Sequence, residues 1–228
     1  MPTTPTPRPV ALIHGFASSF DHGWRRTGWV DILADSDRPV VEIDLLGHGS
    51  APRPTDPEAY GNVEGLVLEA LPEGTVDAVG FSAGAMVLVR LALAHPDRFH
   101  RVALMGIGDK SFEAGGPSTI AGALRGEGGP EDVRGELFRR LAVSAGNDPE
   151  ALVAFISRSQ TPLELAELEG LRLPTLVVLG ERDFTAPADR LVATLPDARF
   201  VGLPGVDHFA TPADFRAIDA VVRFLDGD

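Results

Sequence analysis

The sequence predicts a doubly wound, mostly parallel α/β sheet, and three observations carry that expectation. Short apolar runs recur along the chain, several too uniformly apolar for a sheet wetted on one face. Residues 14–39, 46–75, 82–101 and 180–199, which separate consecutive runs, are each long enough for a crossover helix. A parallel connection needs such a helix and a hairpin does not. Turn-forming segments close the runs, as at His14-Gly15 and Leu46-Gly47.

After a Pro/Thr leader, Val10-Ala11-Leu12-Ile13 reads as a strand covered on both faces. The turn-forming His14-Gly15-Phe16-Ala17-Ser18-Ser19 follows, then an expected helix from Trp24 to Leu33. Val40 to Leu45 is the second strand, running into Leu46-Gly47-His48-Gly49-Ser50 and a proline-rich loop to Pro57. Residues 58–71 read as a helix and Val76 to Phe81 as the third strand. Ser82 to His95 has the apolar density of a buried helix, stopped by Pro96. Arg101 to Met105, Pro174 to Leu179 and Arg199 to Leu203 supply the remaining strands, and Phe215 to Phe224 an amphipathic closing helix.

Residues 106–174 are far more than one crossover requires. An inserted lid is expected there, over the strand C-terminal ends where open α/β sheets bind ligands. It begins loop-like, with Gly115, Gly116, Pro117, Gly122, Gly126, Gly128, Gly129 and Pro130. Helices are expected over Glu131–Val143, Pro149–Ser157 and Pro162–Glu169. The predicted organisation is a core over 1–108 and 171–228 with a helical lid over 109–170.

A chain of 228 residues with 44% apolar and 23% charged content suits one soluble globular domain. The net charge of −13 argues against a nucleic-acid partner and against an anionic membrane surface, both of which select basic patches. With no cysteine, disulfides, thiolate metal sites and a cysteine nucleophile are excluded. No signal-like apolar core and no run near the ~18 residues of a membrane span is present, so a cytoplasmic protein is expected.

The chemistry centres on Gly80-Phe81-Ser82-Ala83-Gly84, a serine between two glycines at a strand-to-helix junction. So tight a turn lifts the hydroxyl out of the sheet, and the following helix start aims N–H groups beside it. A serine hydroxyl needs a base, most often histidine. Of the six histidines, His95 and His100 bracket a helix end and a strand start, where an exposed capping role is expected. His22 lies in a polar loop, and His14 and His48 sit beside glycines where a loop-shaping hydrogen bond is the expected use. His208 follows the last strand in Pro204-Gly205-Val206-Asp207-His208-Phe209 and so projects from the same sheet edge as Ser82. The orienting acid is sought in Gly180-Glu181-Arg182-Asp183, after the fifth strand. Asp207 would need an awkward reversal to reach its neighbour, and Asp183 is favoured over Glu181 as the residue farther out.

These motifs together resemble the α/β-hydrolase superfamily, in its small lidded esterase and lactonase-like branch. The likeness runs from His14-Gly15-Phe16 through Asp44-Leu45-Leu46-Gly47-His48-Gly49 and Gly80-Phe81-Ser82-Ala83-Gly84 to Asp183 and Asp207-His208-Phe209. It implies Ser82 as nucleophile, His208 as base, Asp183 as orienting acid, and an oxyanion hole from the backbone N–H groups of Phe16 and Ala83. Where the family begins with two further strands, only nine residues precede Val10, so six strands are expected, with one trimmed edge that invites dimerisation.

The expected activity is hydrolysis of a small carboxylic ester or lactone, a small-molecule substrate, with no cofactor and no metal. Two alternatives are a carbon–carbon bond hydrolase or lyase on the same triad, and a non-catalytic ligand-binding protein of the same fold. Asn62 and Asn147 lie far in sequence from the His-Gly loop, which counts against the first. Phe16, Trp24, Trp29, Phe112, Phe138, Phe155, Phe184 and Phe209 are candidate pocket residues, and Arg25, Arg26, Arg139 and Arg140 are expected to be solvated.

Overall fold

The computed structural model describes residues 7–113, 120–129 and 131–228. Six strands, β1 (Val10–Ile13), β2 (Val40–Ile43), β3 (Val76–Phe81), β4 (Phe99–Met105), β5 (Thr175–Gly180) and β6 (Ala198–Leu203), form one sheet in the order β2-β1-β3-β4-β5-β6. All five neighbouring pairs are parallel. β1, β3 and β5 are buried along their full length, as their predominantly apolar sequences require, with Asp77 the one charged residue of the three.

Among the described residues, eight α-helices accompany the strands: α1 (Trp29–Asp35), α2 (Val63–Ala70), α3 (Ala83–Ala94), α4 (Ile120–Leu124), α5 (Val133–Ser144), α6 (Pro149–Ser157), α7 (Asp189–Thr194) and α8 (Phe215–Asp226). Alternation along each strand divides the core. Val10, Leu12, Val79 and Phe81 pack against Trp29 and Leu33 of α1 and Ile218, Val221 and Phe224 of α8. Ala11, Ile13 and Ala78 face the opposite way, towards Val63 of α2, Leu88 of α3 and Leu191 of α7. The sheet is therefore covered on both sides, as the spacing of the runs predicts.

Two expected helices are corrected. The stretch from Trp24 to Leu33 is divided: Asp21–Arg25 forms one turn of π-helix, and α1 begins only at Trp29. Gly28 separates them at φ 88°, a left-handed conformation that no continuous helix contains. The expected helix over Pro162–Glu169 is only a 3₁₀ segment, Leu165–Gly170. Conversely, α4 forms where a glycine-rich loop was predicted; Gly115, Gly116, Pro117 and Pro130 of that loop lie outside the described residues. Among the described residues no helix is long and apolar enough to cross a membrane.

The strand order fixes where a site can form. From β1 the chain first winds outward to β2, then returns to lay β3 on the other side of β1. Loops leaving the C-terminal ends of β1 and β3 thus diverge, opening the crevice where doubly wound sheets hold ligands. Ser82 leaves β3 and Gly15-Phe16 leaves β1 at that point.

Candidate active site

The turn after β3 explains its own glycines. A Cβ on Gly80 would lie 2.7 Å from the Ala85 Cα and the Gly84 carbonyl oxygen, and one on Gly84 would collide with the Ile13 and His14 carbonyls. Ser82 between them adopts φ 53°, ψ −114°, and its N–H donates to the Met105 carbonyl at 2.8 Å. This anchors the reversal to β4 and stands the hydroxyl at the N-terminus of α3, as expected.

The loop after β6 brings His208 to that hydroxyl. His208 Nε2 is 3.0 Å from Ser82 Oγ, and His208 Nδ1 is 2.8 Å from Asp183 Oδ2. The second Asp183 oxygen accepts from the backbone N–H and the hydroxyl of Thr185, both at 2.8 Å. An ionised Asp183 so held requires the proton on Nδ1, leaving the Nε2 lone pair for the serine O–H. His208 is only 2% exposed, enclosed by the Phe184 ring at 4.2 Å and the Phe81 ring at 4.9 Å. Glu181, the other acid considered, instead accepts from the Gly205 N–H, and Asp207 accepts from the Ala210 N–H.

The two candidate oxyanion donors lie on the turns after β1 and β3, which approach each other at Gly15 and Ser82. Ala83 is the first residue of α3, so its N–H has no acceptor within the helix. Phe16 lies in the turn after β1, where the Ser18 N–H donates to the Gly15 carbonyl, and among the described residues the Phe16 N–H donates to no carbonyl. Closeness of this turn to Ser82 is measured at Gly15, where a Cβ would lie 3.3 Å from the Ser82 Cβ.

Three other histidines, His14, His48 and His100, make contacts away from Ser82. Leu45 N–H donates to His14 Nε2 at 3.1 Å, and His14 Nδ1 stands 2.8 Å from the Gly15 carbonyl. His48 is fully buried against His14, Phe16 and Phe155, and burial lowers its pKa to about 3, so its imidazole is neutral. His100 is not the exposed cap expected: its Nδ1 contacts Asp77 Oδ1 at 2.9 Å. Asp44 is pushed up by burial but pulled down further by His14 and by the N–H groups of Phe20 and Ser50, leaving it below the ordinary carboxylate range.

An aromatic roof covers this edge of the sheet. Phe138 of α5 meets Phe16, Phe184 and Phe209, while Phe155 of α6 meets Phe16, His48 and Tyr60. Beneath it, a mostly apolar cavity of about 210 Å³ extends past Gly15 and Phe81 between Trp24, Thr27, Leu141, Phe209 and Pro212. Trp29 is a core residue instead, its indole N–H donating to the Pro212 carbonyl. The arginine pairs are solvated as expected: Arg26 meets Asp21, and Arg139 and Arg140 share Glu136.

Sequence reasoning missed Thr185 and took Asn147 to lie away from the His-Gly loop; the structure corrects the latter, placing Asn147 against the Ala17 and Ser18 carbonyls of that loop. Thr185 is legible in hindsight, because a carboxylate readily accepts from an N–H two residues on. Asn147 carries no local signal: it reaches the Ala17 and Ser18 carbonyls across 130 and 129 residues.

A parallel sheet wound in this order, with a serine on the sharp turn after its third strand and a histidine–carboxylate pair facing it, places the chain among doubly wound α/β proteins with a candidate site at the strand C-terminal ends. The chain belongs to the alpha/beta hydrolase family, whose model matches residues 10–223. It is 27% identical to a pimeloyl-[acyl-carrier protein] methyl ester esterase of Nitrosomonas europaea, over 87% of this chain and 88% of that protein. It is 35% identical to a 2-hydroxymuconate semialdehyde hydrolase of Pseudomonas putida, over 46% of this chain but only 38% of that protein's length. The enol-lactonase of Burkholderia xenovorans has the same fold, with a TM-score of 0.74 at 23% identity over 99% of this chain and 94% of that one.

Proposed function

We propose that the protein is a serine hydrolase that cleaves a small carboxylic ester or lactone through an acyl-enzyme. The observation that carries this reading is the continuous contact from Ser82 Oγ through the His208 imidazole to Asp183, at 3.0 and 2.8 Å. As Ser82 Oγ attacks the carbonyl carbon, His208 Nε2 takes its proton and Asp183 stabilises the imidazolium. Negative charge gathers on the former carbonyl oxygen, facing the N–H groups of Phe16 and Ala83. His208 then gives the proton to the departing alcohol oxygen. In the second half a water takes the place of the alcohol, His208 again removes the proton, and the acid leaves with Ser82 restored.

The cavity beside the His-Gly turn, walled by Trp24, Phe81, Leu141, Phe209 and Pro212 together with the polar His14, Ser18, His22 and Thr27, is the space this reading assigns to a small, largely apolar acyl or ring portion; Ser82 and His208 lie outside its wall. Fluorophosphonate labelling at Ser82 and hydrolysis of short p-nitrophenyl esters and lactones test the reading. Ser82→Ala is expected to lower kcat by roughly 10⁴- to 10⁶-fold and to abolish labelling. Equal rates for wild type and Ser82→Ala overturn it, and tight ligand binding without turnover in wild type favours the non-catalytic alternative.

The likeness to 2-hydroxymuconate semialdehyde hydrolases supports a second reading, carbon–carbon bond hydrolysis by the same residues. Asn147, although spatially beside the His-Gly turn, has its amide oxygen and nitrogen taken up by backbone groups and is only 8% exposed. Turnover of 2-hydroxymuconate semialdehyde well above that of any ester would favour this reading over ester cleavage.

A further inference from the structure

We propose that Asn147, from the corner between α5 and α6, is the positioning residue of the oxyanion turn. The inference rests on the serine-hydrolase reading and concerns how the Phe16 N–H is held in place.

The corner itself is rigid. Gly146 adopts φ 68°, its N–H donates to the Val143 carbonyl, and the Asn147 N–H donates to the Ala142 carbonyl. These two bonds close α5 in a Schellman motif. One residue further, the Asp148 side chain accepts from the Glu150 N–H and caps α6. Arg53 adds a bond to the Gly146 carbonyl at 3.0 Å and another to the Gly49 carbonyl. The Asn147 side chain is thus presented from a backbone fixed on both sides.

Its amide is fully used. Nδ2 donates to the carbonyls of Ala17 and Ser18 at 2.9 and 2.8 Å, and Oδ1 accepts from the Gly49 N–H at 2.8 Å. Two carbonyls and one N–H fix the amide orientation, since flipping it would face oxygen against oxygen. The residue it grips most directly, Ala17, sits at φ 64°, a region that a residue with a Cβ enters only when its surroundings hold it there. Ala17 follows Phe16 within the turn that the Ser18-to-Gly15 bond closes. Without Asn147 the turn relaxes towards an ordinary conformation, and the Phe16 N–H moves away from the developing oxyanion. Misplacement of this kind weakens transition-state binding while leaving substrate binding almost untouched.

The test compares Asn147→Ala and Asn147→Asp with wild type on a short p-nitrophenyl ester, alongside inhibition by phenylboronic acid, whose serine adduct places an oxygen at the oxyanion position. Asn147→Asp keeps an acceptor for Gly49 but sets a carboxylate against two carbonyls. Both variants are expected to lose about 10- to 100-fold in kcat with KM within about threefold of wild type. Boronate affinity should fall in parallel, and Asn147→Asp should be the worse of the two. A purely structural residue would instead lower thermal stability and leave kcat, KM and boronate affinity of the folded fraction unchanged. That result overturns the inference, as does a rise in KM at constant kcat, or failure of both variants to fold. If wild type itself shows no Ser82-dependent hydrolysis, the serine-hydrolase reading is what fails.

Discussion

Ser82 and Ala17 both hold side chains in the left-handed half of backbone space, at φ 53° and 64°, and both stand at the crevice between β1 and β3. Each such residue costs about 1–3 kcal/mol, sustained only by surrounding bonds. Ser82 is held by Met105 and by glycines that admit the chain reversal; Ala17 is held by Asn147. Nearby His48 shows what burial does to a titratable group in the same wall. Its pKa falls from 6.5 unfolded to about 3 folded, so between those values the unfolded chain binds the extra proton. Stability from this site is complete above about pH 6.5 and is lost progressively as pH falls towards 3. Asp44, also depressed, adds a further loss below the ordinary carboxylate range. Denaturant melts between pH 7 and pH 4 should show this decline, and His48→Leu should flatten its upper part; an unchanged slope in the variant would refute the assignment.

At the scale of elements, α5 and α6 bring Phe138 and Phe155 against the rings of the loops after β1 and β2. α5 carries Phe138 over the aromatic roof, Leu141 into the cavity wall, and Ser144 Oγ to within 3.1 Å of His22 Nε2 on the π-turn after β1. Burial first, and Arg26 second, lower the His22 pKa, so this contact is one between neutral groups near pH 7. If the proposed ester hydrolysis places its acyl group in this cavity, Leu141 in the wall limits its length. Leu141→Ala should shift the preferred p-nitrophenyl ester towards longer chains, and Leu141→Phe towards acetate. Chain-length profiles of kcat/KM check this, and profiles identical to wild type would show that the acyl group lies elsewhere.

For the whole molecule, stability and chemistry occupy opposite ends of the sheet. Far from Ser82, Asp77 near the start of β3 is 2% exposed and binds Arg38 Nη1 and His100 Nδ1, both at 2.9 Å. Arg38, 10% exposed, also reaches the Leu225 carbonyl and Asp226 at the end of α8. One buried carboxylate thus joins β3, β4, the approach to β2 and the C-terminal helix. Asp77→Ala leaves the Arg38 guanidinium short of its buried partner and should cost about 3–5 kcal/mol in denaturant unfolding. Ester turnover at 25 °C should persist, because no group of the site touches this network; a loss below about 1 kcal/mol would show that solvent replaces the pair.

The sequence by itself determined the wound parallel sheet, since β1 is wholly apolar, β3 and β5 are predominantly so, and the intervening stretches admit crossover helices. It also carried Ser82, Asp183 and His208, because each ends a strand-to-loop junction and a wound sheet sends all such junctions to one edge. Asn147 on the Ala17 turn, His100 on Asp77 and Leu141 in the cavity wall were decided only by the tertiary structure. The two polar contacts join residues 23 and 130 positions apart, and nothing in a local pattern records which distant surface a polar or apolar side chain will meet. Local periodicity sets which elements form; packing between them selects the neighbours.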